Sequence, residues 1–316
     1  MSNEPLVIAR AFHFASTLVL AGTIIFQCFV AAPVFRAKAG GVLEDGLRAR
    51  LTWIVWTALA VAMLSGAAWL VFVAAEIGGL PAVDAVSEGI AWIVLTQTEF
   101  GDAWMLRMQM ATLLAVLLLV PTPNPGFRSA TEIICAMLAA GLAASLAWAG
   151  HAAATEGLDG TIHLASDALH LVAAGAWLGA LWPLAILLDL ARRGGNTVSA
   201  AIAYQATRRF SILGAISVAA ILASGIVNTY EILGTAAFSI GTDYNRLLLA
   251  KICLFIAMLA IAAFNRQRLT PRLSDERDHR RAMRQLQWNS LAEAGLGLLI
   301  LAIVAVLGRI APLAHG

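Results

Sequence analysis

Charge is scarce in this chain. Only 13% of its 316 residues are Asp, Glu, Lys or Arg, about half the roughly 25% of an average soluble domain. That shortage argues against a soluble globular protein, and with 60% hydrophobic residues the chain reads as an integral membrane protein. The net charge of +2 offers no bulk attraction for nucleic acid. Cysteine is sparse too. Cys28, Cys135 and Cys253 lie far apart, each in an apolar run and without C-x-x-C spacing, which excludes a disulfide framework and reads as packing. The first apolar segment lacks a basic n-region, having Glu4 before it and Arg10 within it, so it does not read as a signal peptide. No nucleophile–base–acid arrangement, phosphate loop or nucleotide motif occurs. No enzyme is expected, and any transport is passive, partner-driven or gradient-coupled.

Long apolar runs are what the chain does have. Eight of them approach the roughly 20 residues needed to cross a bilayer. They run from Leu6 to Phe35, Leu51 to Ala75, Ala103 to Val120, Ala130 to Gly150, Thr161 to Ala191, Phe210 to Leu233, Tyr244 to Phe264 and Trp288 to Ile310. The expected fold is an all-α polytopic membrane protein with eight transmembrane helices. The connections after the first, third, fifth and seventh helices hold 16 of the 21 Lys and Arg residues, and the other three connections hold none. Basic loops stay in the cytoplasm, so both termini are expected in the periplasm. The connection after the second helix, "GGLPAVDAVSEG", is the longest outer loop and is expected to form a short cap.

The halves repeat. His13 and Gly22 are matched by His170 and Gly179 at the same spacing. Arg50, Ser65 and Gly66 are matched by Arg209, Ser224 and Gly225. Thr98, Phe100 and Arg107 correspond to Thr242, Tyr244 and Lys251, and Ser129-x-x-Glu132 to Ser290-x-x-Glu293. Four pairs in one order predict two parallel four-helix repeats, 1–151 and 159–316, within a single transmembrane domain. Such repeats are related by an axis along the membrane normal, with sites at their interface. The Ser-x-x-Glu pairs read as helix capping boxes, with Glu132 and Glu293 also in reach of Arg50 and Arg209. The matched glycines let helices approach closely.

On this topology five of the six histidines, His13, His151, His163, His170 and His315, gather at the outer face, and only His279 lies in a basic loop. His163 and His170 are seven residues apart, on one helix face about 10 Å apart in height. Asp167 lies between them on the same side, placed to orient a ligating ring. Imidazole suits copper, zinc and iron, and thioether sulfur favours Cu(I). Met105 and Met108, three apart near the same surface, are candidates for the latter, with packing as their other reading. Ionisable groups inside a membrane are costly and default to function.

Several stretches carry a resemblance: Gly150-His151, "LHLVAAGAWLGAL" from Leu169 to Leu181, "RFS" from Arg209 to Ser211 with Ser224-Gly225 downstream, and "YNRLLLAKICL" from Tyr244 to Leu254, followed by Asn265-Arg266 and Pro271. In these the chain resembles the copper resistance protein D family of bacterial inner-membrane proteins, best from His151 onward. It departs where the family usually has two glycines after its tryptophan, since Trp177 is followed by Leu178, Gly179 and Ala180. The resemblance implies copper homeostasis in the plasma membrane, with copper passing inward from a periplasmic copper-binding partner. The expected site is His13, His151, His163 and His170 converging between the first, fourth and fifth helices to bind a copper ion. Asp167 orients a ligand there, and Met105 or Met108 completes a Cu(I) sphere. Arg107 and Lys251 fit this poorly: they snorkel, pair with Asp102 and Asp243, or serve haem propionates. The alternative reading is therefore a b-type haem electron-transfer protein with His13 and His170 as axial ligands. A third is a copper sensor or assembly partner that transports nothing.

Overall fold

The computed structural model describes residues 4–38, 40–122, 124–149, 157–233, 242–275 and 278–308. Among these there is no strand, and eight helices are long and apolar enough to cross a membrane. They are α1 (Glu4–Ala37), α2 (Val42–Gly78), α3 (Glu99–Leu119), α4 (Pro125–Trp148), α5 (Gly160–Gly194), α6 (Thr197–Glu231), α7 (Asp243–Arg272) and α8 (His279–Leu307). The count matches the apolar runs, but several helices outlast them. α2, α6 and α8 begin about nine to thirteen residues before Leu51, Phe210 and Trp288. Arg, Gln and Glu are good helix formers, so the helix continues where the lipid-facing stretch stops. α2 has 37 residues, roughly 55 Å at 1.5 Å per residue, against a hydrocarbon core of roughly 30 Å.

The loop after α2 folds into two short helices, Ala82–Ser87 and Ile90–Gln97. They close a small core of Leu70, Ala74, Ala85 and Val94, which is the expected cap. Gly79 and Gly89 take left-handed φ of 64° and 78° at its turns, a region that strains residues with a Cβ.

α1 and α5 are the central pair. Their most apolar stretches are 67% and 72% buried, against 17% for α3 and 6% for α7. They cross at glycines. A Cβ on Gly22 would fall on the Gly175 carbonyl oxygen and the backbone of Gly179, and one on Gly179 would fall on the carbonyl oxygen of Leu18. At this crossing α5 loosens into a π-helical turn, Gly175–Gly179. The start of α1 also reaches the end of α8, where Arg10 donates to the Gly308 carbonyl at 3.3 Å. One apolar cluster joins α1 to α2, α3 and α4, centred on Leu18, Leu59, Trp69 and Leu142. A second joins α5 to α6, α7 and α8 through Trp177, Leu181, Leu187 and Met283, and also takes in Phe26 and Val30 of α1 and Leu47 and Leu51 of α2.

Two expectations fail on the basic face. Ser129 and Glu132 are not a capping box: α4 is capped by Asn124, whose Oδ1 accepts from Phe127 N at 2.8 Å. Ser290 and Glu293 lie eleven and fourteen residues into α8, which starts at His279. Nor do the glutamates meet the expected arginines. Arg36 reaches Glu132 at 3.5 Å, Glu293 bonds Asn265, and Arg50, Arg192 and Arg193 converge instead on Asp189. Cys28 and Cys135 are buried as packing residues, whereas Cys253 is exposed on α7.

Candidate metal site

The spacing of His163, Asp167 and His170 puts all three on one face of α5, where they line a single cavity of about 190 Å³. Around them stand Arg10 of α1, Asn228 of α6, and Tyr244 and Lys251 of α7, with Leu178, Ile300 and Val304 as apolar walls. Asp167, Asn228 and His170 are each tied to a neighbour. Asn228 Nδ2 donates to Asp167 Oδ1 at 3.2 Å. Asp167 also feels the charges of Lys251 and Arg10. His170 Nδ1 lies 3.0 Å from Ser224 Oγ. The Ser224 hydroxyl spends its proton on the Ala220 carbonyl at 2.6 Å, so it accepts from His170 Nδ1–H. That fixes the tautomer and leaves Nε2 as the nitrogen free to take a ligand. The Cε1–Nδ1 edge of the ring faces α6, where a Cβ on Gly225 would stand 3.6 Å from His170 Cε1.

His13 does not line this cavity. Its Nδ1 lies 2.8 Å from the Ala62 carbonyl of α2, which can only accept, so here too the proton sits on Nδ1. Nε2 is buried without a hydrogen-bond partner. The ring packs against Trp69, centroid to centroid 5.6 Å. Arg107, 1% exposed, covers the same indole at 5.4 Å. It donates to Ser145 Oγ at 3.2 Å and to the Ser145 carbonyl at 3.1 Å. It therefore neither snorkels nor pairs with Asp102, and Asp243 pairs with Arg246 at 3.4 Å rather than with Lys251.

Of the residues picked from the sequence, the structure gathers His163, Asp167 and His170. It sets His13 apart, beside Met108, whose Cε and the His13 ring both press on Gly66. Met105 lies with Trp104 and Gln109 along an outward groove on α3. His151 lies outside the described residues. Asp167 holds Asn228, and Ser224 is what positions His170. Among the described residues no three His, Cys, Asp or Glu side chains meet closely enough to enclose a metal ion. The sequence reading missed Asn228, although it follows Ser224 by four residues, one helical turn, in an otherwise apolar span.

Residues 1–161 match the family model described as Copper resistance protein D-like, N-terminal domain, and residues 204–307 match Copper resistance protein D. The chain is 31% identical to Copper resistance protein D of Pseudomonas syringae pv. tomato, over 98% of both chains. It is 31% identical to Inner membrane protein YebZ of Escherichia coli (strain K12), over 96% of this chain and 97% of that one. It is 30% identical to Copper transport protein CutJ of Bacillus subtilis (strain 168), over 54% of this chain and 31% of that one. No solved structure gives a significant match. Eight apolar helices, matches to both family models and near full-length identity to a named member place this chain in the copper resistance protein D family.

Proposed function

We propose that this protein moves copper ions inward across the bacterial inner membrane, through the cavity that holds His163, Asp167 and His170. The carrying observation is that cavity: two histidines and a carboxylate on one helix face, with Nδ1 of His170 tied to Ser224 so that Nε2 is the free donor. Neutral imidazole nitrogen suits copper. The names of two relatives supply copper and that of the third an inner membrane. The cavity lies toward the face opposite the basic loops, beside Arg10 and Gly308. With basic loops in the cytoplasm, this face and both termini are periplasmic, and a periplasmic copper-binding protein is the natural donor. An open lining rather than a closed coordination sphere fits a route, because conduction needs binding weak enough to release.

Two four-helix repeats related by a twofold axis along the membrane normal also belong to this reading. His13 to His170 and Gly22 to Gly179 share an offset of 157 (170 − 13; 179 − 22). The same offset takes Leu18 to Gly175. The contact of Gly22 with Gly175 is then the counterpart of the contact of Gly179 with Leu18. Such reciprocity is the mark of an isologous twofold contact.

Haem finds little support. His13 and His170 stand in different surroundings, and about 190 Å³ is below the roughly 300–1,000 Å³ of small-molecule pockets. The two family models and two of the relatives are named for copper, none for haem. Purified protein should lack a Soret band, and its copper uptake in proteoliposomes should be lost in His170→Ala with membrane insertion intact. Wild-type uptake in that variant, or a Soret band it loses, contradicts the proposal.

A further inference from the structure

A second cavity, about 420 Å³, lies toward the basic face between α5, α6, α7 and α8. Glu293 of α8 lines it and is 2% exposed. Its Oε1 accepts from Asn265 Nδ2 at 2.8 Å, and Asn265 Oδ1 accepts from Asn289 Nδ2 at 2.6 Å. Its Oε2 is buried with no hydrogen-bond partner. Thr207 of α6 lines the same cavity, 3% exposed, and its Oγ1 is also unpartnered. Among the described residues the one other charged side chain lining the cavity is Arg266 of α7, which is exposed and forms no ion pair with Glu293. The α5, α6 and α8 walls otherwise contribute none.

A bare carboxylate oxygen in such a place carries a heavy desolvation cost unless it is paired or neutralised. The donors around it are oxygens and amides, which do not suit Cu(I), an ion that prefers sulfur and nitrogen. A proton fits them. Asn265 also opens the π-helical turn Asn265–Leu269 of α7, and π-turns concentrate at functional sites. The repeat-related Glu132 is paired with Arg36 and 29% exposed at its side chain. The fold thus does not require a buried acid at this register.

We propose that Glu293 is a proton-exchange site: Oε2 takes up one proton and becomes a neutral carboxyl, then returns the proton through the cavity. No electron moves and no other bond changes. Resting on the copper-transport reading, the proposal extends to coupling, because one turn of α5 separates the two cavities. Leu178 walls the histidine cavity and Trp177 the Glu293 cavity, so a shift of the Gly175–Gly179 turn touches both.

Infrared spectra of the full-length protein in lipid test the site without copper. A protonated-carboxyl C=O band, sensitive to H/D exchange, should titrate with pH, vanish in Glu293→Gln and persist in Glu132→Gln. No such band, a band that does not titrate, or one unchanged in Glu293→Gln overturns the proton site. Proteoliposomes loaded with copper test the coupling. A pH gradient should change the wild-type copper rate, and in Glu293→Gln the ratio of rates with and without the gradient should fall to unity while gradient-free movement persists. An unchanged ratio overturns the coupling. Wild-type liposomes that move no copper would sink the transport reading and leave the infrared result standing.

Discussion

Ser65 and Gly66 of α2 correspond to Ser224 and Gly225 of α6 at an offset of 159, and four residues further on stand Trp69 in one half and Asn228 in the other. The consequences run through each half. Trp69 packs at a tilt against His13 at 5.6 Å and edge-on against Phe100 at 5.4 Å, and Arg107 lies over its ring. In the second half Asn228, at the register of Trp69, lines a cavity instead. Tyr244, where Phe100 stands, and Lys251, where Arg107 stands, line a cavity with His170. The glutamates diverge in the same direction, Glu132 paired near the surface and Glu293 buried beside a second cavity. The surroundings of His13 are filled and those of His170 are hollow.

The largest expected effect is at the crossing the halves share. Overpacking a core ordinarily costs about 1–3 kcal/mol, but at Gly22 and Gly179 backbone meets backbone and nothing can rotate away. Gly22→Val and Gly179→Val should each cost more than this, read as loss of monodisperse protein in detergent. Tolerance at one position but not the other would break the twofold. Next, Trp69→Ala should destabilise by about 3–5 kcal/mol, whereas Asn228→Ala should cost about 1 kcal/mol, both by thermal unfolding. Equal losses would erase the distinction between filled and hollow. Asn228→Trp should plug the second half, abolishing copper binding for no more than about 1–3 kcal/mol of stability. Ser224→Ala removes the group that positions His170 and should weaken copper binding about 10- to 100-fold, while Ser65→Ala leaves it unchanged in a titration. Smallest is Glu132→Gln, which breaks a part-exposed ion pair worth about 1 kcal/mol or less and should leave copper binding alone.

Hydropathy made the eight spans legible, because a bilayer admits little else than helices of that length. The basic ends of α2, α6 and α8 were not, since hydropathy tracks lipid contact and these turns leave the apolar stretch while staying helical. Ser290 and Glu293 read as a helix start for the same reason. In the site, the seven-residue spacing of His163 and His170 with Asp167 between them located one wall of the cavity. What surrounds that wall depended on which way neighbouring helices turn. His13 corresponds to His170 in sequence spacing, yet it packs on Trp69 and does not line the cavity, a fact of rotation about α1 that no spacing encodes. Asn228 was passed over because one amide in an apolar span carries no pattern by itself.

On the proposed reading the cavity around His170 handles copper and the packed surroundings of His13 do not. The most direct test is copper stoichiometry of purified His170→Ala beside purified His13→Ala, each checked for a wild-type elution profile. The account predicts that His170→Ala loses bound copper and His13→Ala keeps it. Copper retained in His170→Ala, or lost equally from both, contradicts it.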